Sequence, residues 1–277
     1  MSVDINGFVF ESFGVRVGLR ANRPSILDRM RDRLPPFSQL VTSEDVSNIF
    51  TILAIDDACL CDLYSGESIL AGAISLDHAL DELESWLHST IAEESPALFV
   101  HAGVVVWQDR AIVIPGRSMS GKSTLVAALL KAGATYYSDE YAVFDEAGLV
   151  HPYPKPLSLR DTAALSGRSK ATQECVRNRP LPVALLIATR FKADASWRPK
   201  NLTPGQAALR LFENTVDARQ RGESAIRTFA RMLTSCLAIG GPRPSADRIA
   251  QSILDLSTRN CVSSEGTSET EPEVTAT

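Results

Sequence analysis

The chain has no apolar run approaching the ~20 residues that span a bilayer. Its start, MSVDINGF, lacks the basic-then-apolar pattern of an export signal. Basic residues number 28 against 33 acidic ones, a formal charge of −5, and no basic stripe is visible, which argues against a nucleic-acid binder. Cysteine is sparse and irregularly spaced: Cys59, Cys61, Cys175, Cys236 and Cys261 contain no C-x-x-C pair, so neither a zinc knuckle nor a dithiol redox motif is expected. There is no internal repeat and no N-K-x-D-like guanine reader. These absences predict a cytoplasmic protein that works on neither membrane nor nucleic acid. What is present supports a real core: 44% of the 277 residues are hydrophobic and 22% charged, enough for one large domain or two modest ones.

The most informative stretch is GRSMSGKST, which matches the G-x-x-x-x-G-K-[ST] loop, or Walker A motif. Its members are Gly116, Arg117, Ser118, Met119, Ser120, Gly121, Lys122, Ser123 and Thr124. AIVIP, Ala111 to Pro115, predicts a buried strand ahead of it, and TLVAALLKAG, Thr124 to Gly133, a helix behind it. Backbone N–H groups pointing into such a loop, with the partial positive charge of the helix start, make an anion site. Lys122 is then expected on the β/γ-phosphates and the Ser123 hydroxyl on Mg²⁺. The expected ligand is a nucleoside triphosphate, ATP by default, with Mg²⁺.

Composition shifts predict three regions. Residues 1–95 read as a small α+β region, with strands over Val9–Leu19, Asn48–Leu53 and Ala58–Tyr64. The pair Asp56 and Asp57 sits at the turn between the last two. A helix is expected over Ser25–Leu34 and a long amphipathic one from a Ser75 cap to about Ala92. Residues 96–260 alternate strand and helix, the pattern of an α/β domain. In this region Val104–Trp107, Thr135–Tyr137, Tyr141–Phe144 and Val183–Thr189 are strand candidates. Thr203-Pro204-Gly205-Gln206 is a capped helix start. Glu223–Ala238 predicts a second helix and Ser245 the cap of a third. Residues 261–277 are acidic and polar and are expected to be a disordered tail.

A phosphate loop does not name its acceptor. The carboxylates best placed by sequence order are Asp139 and Glu140, after a strand expected to lie beside the loop strand. One could take the proton of an attacking hydroxyl while the other, with Ser123, helps hold Mg²⁺. Asp145 is the rival, ending the apolar run YAVF but also beginning the turn-like DEAG. His101, in FVHAGVVV, is a candidate to polarise Asp139. Lys155 and Arg160 follow the carboxylates and are candidates for acceptor or phosphate contacts, as are Arg219, Arg221 and Arg227 between two helices.

The segment HAGVVVWQDRAIVIPGRSMSGKSTLVAALLKAGATYYSDEYAVFD resembles the core of the bacterial HPr serine kinase/phosphorylase family, and its HPr-kinase-like relatives more closely still. A histidine near a glycine, a hairpin, the loop, a helix ending in glycine and an acidic pair follow one another in the same order. The resemblance implies a P-loop fold related to phosphoenolpyruvate carboxykinase and a kinase for a hydroxyl acceptor. It implies that Asp139 acts on that hydroxyl, that His101 supports Asp139, and that Lys122 and Ser123 hold phosphate and metal. It also allows a homo-oligomer. The family's second aspartate is Glu140 here, its later glycine-rich signature has no counterpart, and Ser166 to Pro182 reads differently. A small molecule or modified peptide is therefore the expected acceptor rather than a sugar-transport carrier protein.

Overall fold

The computed structural model describes residues 5–42, 46–55, 60–116, 120–155 and 179–265, with side chains to residue 260. The Asp56–Asp57 pair, Cys59, Arg117, Ser118, Met119, Arg160, Cys175 and the residues from 266 on lie outside these, as does the side chain of Cys261. The chain divides into two compact units, Met1–Pro96 and Ala97–Thr277. Each contains a mixed sheet, and the protein is a mixed α/β structure.

The first unit is a six-stranded sheet. β1 (Asn6–Ser12) and β2 (Val15–Ala21) form a hairpin; β3 (Gln39–Val41), β4 (Asn48–Ala54), β5 (Leu60–Ser65) and β6 (Ser68–Ser75) complete the order β3-β1-β2-β4-β5-β6. Only β2 and β4 run parallel, and the chain between them holds the short helix α1 (Pro24–Arg31). The 19-residue helix α2 (Leu76–Glu94) begins at Ser75, whose hydroxyl accepts the His78 N–H. Leu80, Leu83, Leu87 and Ile91 recur at helical spacing and are fully buried, with Phe10, Leu19, Ile52 and Leu63 from the sheet. The strand β6 was not anticipated: SILAGAIS carries no alternating apolar pattern, and most of it is exposed.

The second unit is an eight-stranded sheet in which β8 (Arg110–Pro115), β12 (Val183–Phe191) and β14 (Leu237–Arg243) are parallel neighbours. β7 (Leu98–Trp107) pairs antiparallel with β8 through a tight turn at Gln108 and Asp109. The other edge of β7 is shared: β10 (Tyr141–Phe144) takes its first half and β9 (Thr135–Ser138) its second. β11 (Val150–His151) and β13 (Lys200–Asn201) close the two ends. Helix α3 (Lys122–Lys131) and helix α6 (Ala250–Glu265) bury Leu125, Val126, Leu129, Ile253 and Leu254 in one core with Val105, Ile112 and Ile187. Helices α4 (Pro204–Phe212) and α5 (Gly222–Met232) pack Leu211 and Phe229 into a second core with Val104, Val113 and Leu186. Successive strand residues serve opposite cores, so the central strands are apolar throughout.

Three expectations change. The helix expected to reach Ala238 stops at Met232, and Leu237, Ala238 and Ile239 instead enter β14 beside β12. Thr234 and Ser235 break the helix, and a parallel partner on one side makes the short apolar run a strand. The third helix opens with a single tight turn, Ala246–Arg248, without a side-chain cap from Ser245. Finally, β9 does not neighbour the loop strand β8: it pairs with β7, because β8 is flanked by β7 and β12.

Candidate functional site

The loop from Gly116 runs from the end of β8 to the start of α3, the C-terminal edge of three parallel strands, where open α/β sheets form their ligand crevices. Gly121 precedes the helix in the left-handed conformation, φ 84°, and its carbonyl accepts the Leu125 N–H at 3.1 Å. Glycine adopts this turn at low cost. Lys122 and Ser123 fall in the first turn of α3, where backbone N–H groups have no intrahelical acceptor. Thr124 is exposed.

Asp139 reaches this helix start from the junction between β9 and β10. That junction lies over Ala102 and Gly103 of β7, where the Glu140 carbonyl accepts the Ala102 N–H. Gly103 is what allows the approach. A Cβ there would lie 2.5 Å from Val126 Cγ2 of α3, 3.7 Å from Asp139 Oδ1 and 3.9 Å from Lys122 Cβ. One absent methyl thus brings β7, α3 and the acid together. Burial pushes the Asp139 carboxyl up to about 6; a hydrogen bond from the Ser123 hydroxyl and the charge of Lys122 oppose the rise, and Glu140 adds to it. Its Oδ1 is buried without a hydrogen-bond partner. Tyr136 steadies the acid's backbone: its hydroxyl bonds the Lys155 carbonyl and lies at the main chain of Asp139.

The structure places the other candidates as follows. Glu140 is turned to Lys155, 3.4 Å away and partly exposed. His101 sits two residues before Gly103 and so on the same face of β7. Its ring lies tilted against that of Tyr141, with centroids 4.9 Å apart. Asp145 accepts the Leu149 N–H at 2.9 Å and pairs with His151 at 3.0 Å, closing a turn. Arg221 donates to the Ala97 carbonyl, Arg227 pairs with Glu223, and Arg219 is exposed. Cys61 is buried and Cys236 half-buried.

Sequence reasoning missed Arg243, the last residue of β14. It is 2% exposed, yet its Nη2 donates to the Gly121 carbonyl at 2.9 Å. It lines a narrow recess with Ile114, Ser120, Gly121, Lys122, Leu125 and Thr189. The signal was there as LAIGG, an apolar run ending in paired glycines ahead of the arginine. Four buried side-chain polar atoms lack a hydrogen-bond partner among the described residues, and three surround the start of α3: Ser120 Oγ, Asp139 Oδ1 and Arg243 Nε. Buried polar atoms are nearly always paired, so this concentration marks a place built for something polar.

No protein-family model matches the chain. No curated protein matches it either. Among solved structures it is similar to the Hpr(Ser) kinase/phosphatase from Coxiella burnetii, with 16% identity, 61% of this chain and 99% of that chain covered, and a TM-score of 0.35. A superposition that loose says nothing of chemistry.

Proposed function

We propose that residues 116–124 form a P-loop, in a fold of the HPr kinase/phosphoenolpyruvate carboxykinase type, and that the protein is a Mg-ATP-dependent kinase. It would carry the γ-phosphoryl group to a serine-like hydroxyl on a small molecule or peptide. The observation that carries the reading is Asp139: a half-buried carboxylate, with its Oδ1 buried and unpartnered, hydrogen-bonded by Ser123 and facing the charge of Lys122 at a helix start. An acid raised to about 6 is ionised at neutral pH yet basic enough to take a hydroxyl proton.

In the transfer, Asp139 accepts the hydroxyl proton as that oxygen bonds the γ-phosphorus. The bond from phosphorus to the β–γ bridging oxygen breaks, and its electron pair leaves with ADP. Lys122 offsets charge on the phosphates, and the loop N–H groups hold them in line. Ser123 and Asp139 offer oxygens for Mg²⁺. Among the described residues no group of three or more His, Cys, Asp or Glu forms a closed metal cage, so phosphate oxygens and water would supply the rest, as is usual for this ion. When bound, the ion neutralises phosphate charge.

The test is a titration with Mg-ATP followed by phosphoryl transfer to a panel of hydroxyl compounds and serine peptides. Asp139→Asn is expected to bind ATP and to transfer nothing. Wild-type protein that binds no nucleotide with Mg²⁺ present, or an Asp139→Asn variant transferring at the wild-type rate, overturns the reading. A nucleotide-responsive binding module is favoured by one observation, the engagement of Glu140 with Lys155, which leaves a single carboxylate against Ser123. Tight ATP binding with neither hydrolysis nor transfer would decide for that module.

A further inference from the structure

Arg243 is held on terms that the reaction above does not use. Its Nη1 donates to the Pro244 carbonyl at 3.1 Å and its Nη2 to the Gly121 carbonyl at 2.9 Å, while Nε is buried without a partner. Two carbonyls satisfy N–H groups but do not neutralise a charge. No carboxylate pairs with this guanidinium among the described residues. Burial lowers its pKa from the ordinary arginine value. An arginine withdrawn this far from water is costly unless an anion meets it.

Its position gives the direction of that anion. The side chain leaves the end of β14, two strands from β8, and crosses the end of β12, where the Phe191 ring lies 5.8 Å from the guanidinium. It arrives at Gly121, where a Cβ would stand 2.7 Å from Nη2, so position 121 is shaped to admit it. Asp139 comes to the same helix start over Gly103 of β7, on the other flank of β8. The loop therefore has an acidic shoulder and a basic one.

We propose that Arg243 binds the non-transferred phosphates of a polyphosphate, so that the ligand lies across the sheet edge with its leaving end over β12 and β14 and its transferred end toward Asp139. This rests on the phosphoryl-transfer reading and adds the ligand's polarity to it. The recognised chemistry is a diphosphate unit, which a nucleotide or free pyrophosphate can supply.

The test is calorimetric titration of the full chain, Lys122→Ala, Arg243→Met and Arg243→Lys with Mg-ADP, inorganic pyrophosphate, inorganic phosphate and adenosine, alongside ligand-free melting curves. Arg243→Met is expected to lose at least about tenfold in affinity for ADP and pyrophosphate, with inorganic phosphate changed less than about threefold. Its ligand-free melting temperature is expected to equal or exceed that of the wild type, because an unpaired buried charge has been removed. Arg243→Lys keeps a charge without the planar fork, covers the case in which the methionine variant does not fold, and is expected to recover part of the affinity. Binding of ADP and pyrophosphate within about threefold of the wild type in folded Arg243→Met, or fully wild-type binding in Arg243→Lys where the methionine variant does not fold, overturns the proposal. So does a lowered ligand-free melting temperature in both variants with equal losses for every anion, the mark of a strut. Wild-type protein that binds pyrophosphate through Arg243 but not ADP keeps the proposal and removes the nucleotide. Wild-type protein that binds none of the anions removes both readings.

Discussion

Two arginines show how differently the two units treat charge. In the first unit, Arg33 meets Asp81 at 2.6 Å and Glu84 at 2.9 Å, and those carboxylates hold its proton more tightly than usual. In the second, Arg243 is buried deeper, pairs with no carboxylate among the described residues and holds its proton less tightly. The contrast extends to neutral groups. Ser12, Ser95 and Asn22 of the first unit all spend their side chains on backbone partners, and no orphaned buried side-chain atom falls there among the described residues. All four such atoms belong to the second unit, three of them around one helix start. The first sheet is complete as folded; the second keeps unspent polar capacity at one edge, as a binding site does.

That contrast can be broken most sharply at Lys122. Lys122→Ala is expected to lower phosphoryl transfer by at least about a thousandfold, read as product formed from labelled ATP, because the transferred charge loses its nearest cation. Asp139→Asn is expected to cost about a hundred- to ten-thousandfold in kcat while changing the ATP dissociation constant little. Leu83→Ala, in the buried face of α2, reverses the pattern: denaturant unfolding should show a loss of about 2–5 kcal/mol, with nucleotide affinity unchanged.

A smaller effect sharpens the comparison through pH. The folded-state value of Asp139, about 6, lies above its ordinary 3.8, so the folded protein binds this proton more tightly than the unfolded chain. The stability gained from that proton is full below 3.8 and is lost as pH rises through about 6. On the proposed reading transfer needs the carboxylate, and kcat/KM should rise through the same range. Opposite slopes of melting temperature and rate are therefore expected between about pH 4 and 6, the window set by the ordinary and raised values, and both should flatten in Asp139→Asn. The smallest effect belongs to Thr203→Ala. It removes the hydroxyl that caps α4 in a reciprocal arrangement with Gln206 and should cost about 1 kcal/mol without touching the site.

Local chemistry made part of this legible in sequence. Ser75 and Thr203 each cap the helix they announce, and AIVIP followed by GKST gives the strand and helix as read. Asp139 was singled out because an acidic pair ends a strand near the loop in the chain, although its strand borders β7 rather than β8. Strands without a pattern of their own were lost. β6 carries no alternation, and β14 is a strand because β12 lies beside it, a long-range fact that a local reading cannot contain. Arg243 was lost with β14. Its contact with Gly121 depends on crossing one strand to reach a residue 122 positions earlier in the chain.

Gly103 sets how finely this arrangement is tuned. Adding even a single carbon at that point drives it to 2.5 Å from Val126, and the neighbouring turn of α3 must give way. Lys122 and Ser123 ride on that same turn, so a change too slight to unfold anything would pull the amine and the hydroxyl out of step with the acid. The spacing of Asp139 from the start of α3 is set by contact between a bare backbone and a helix.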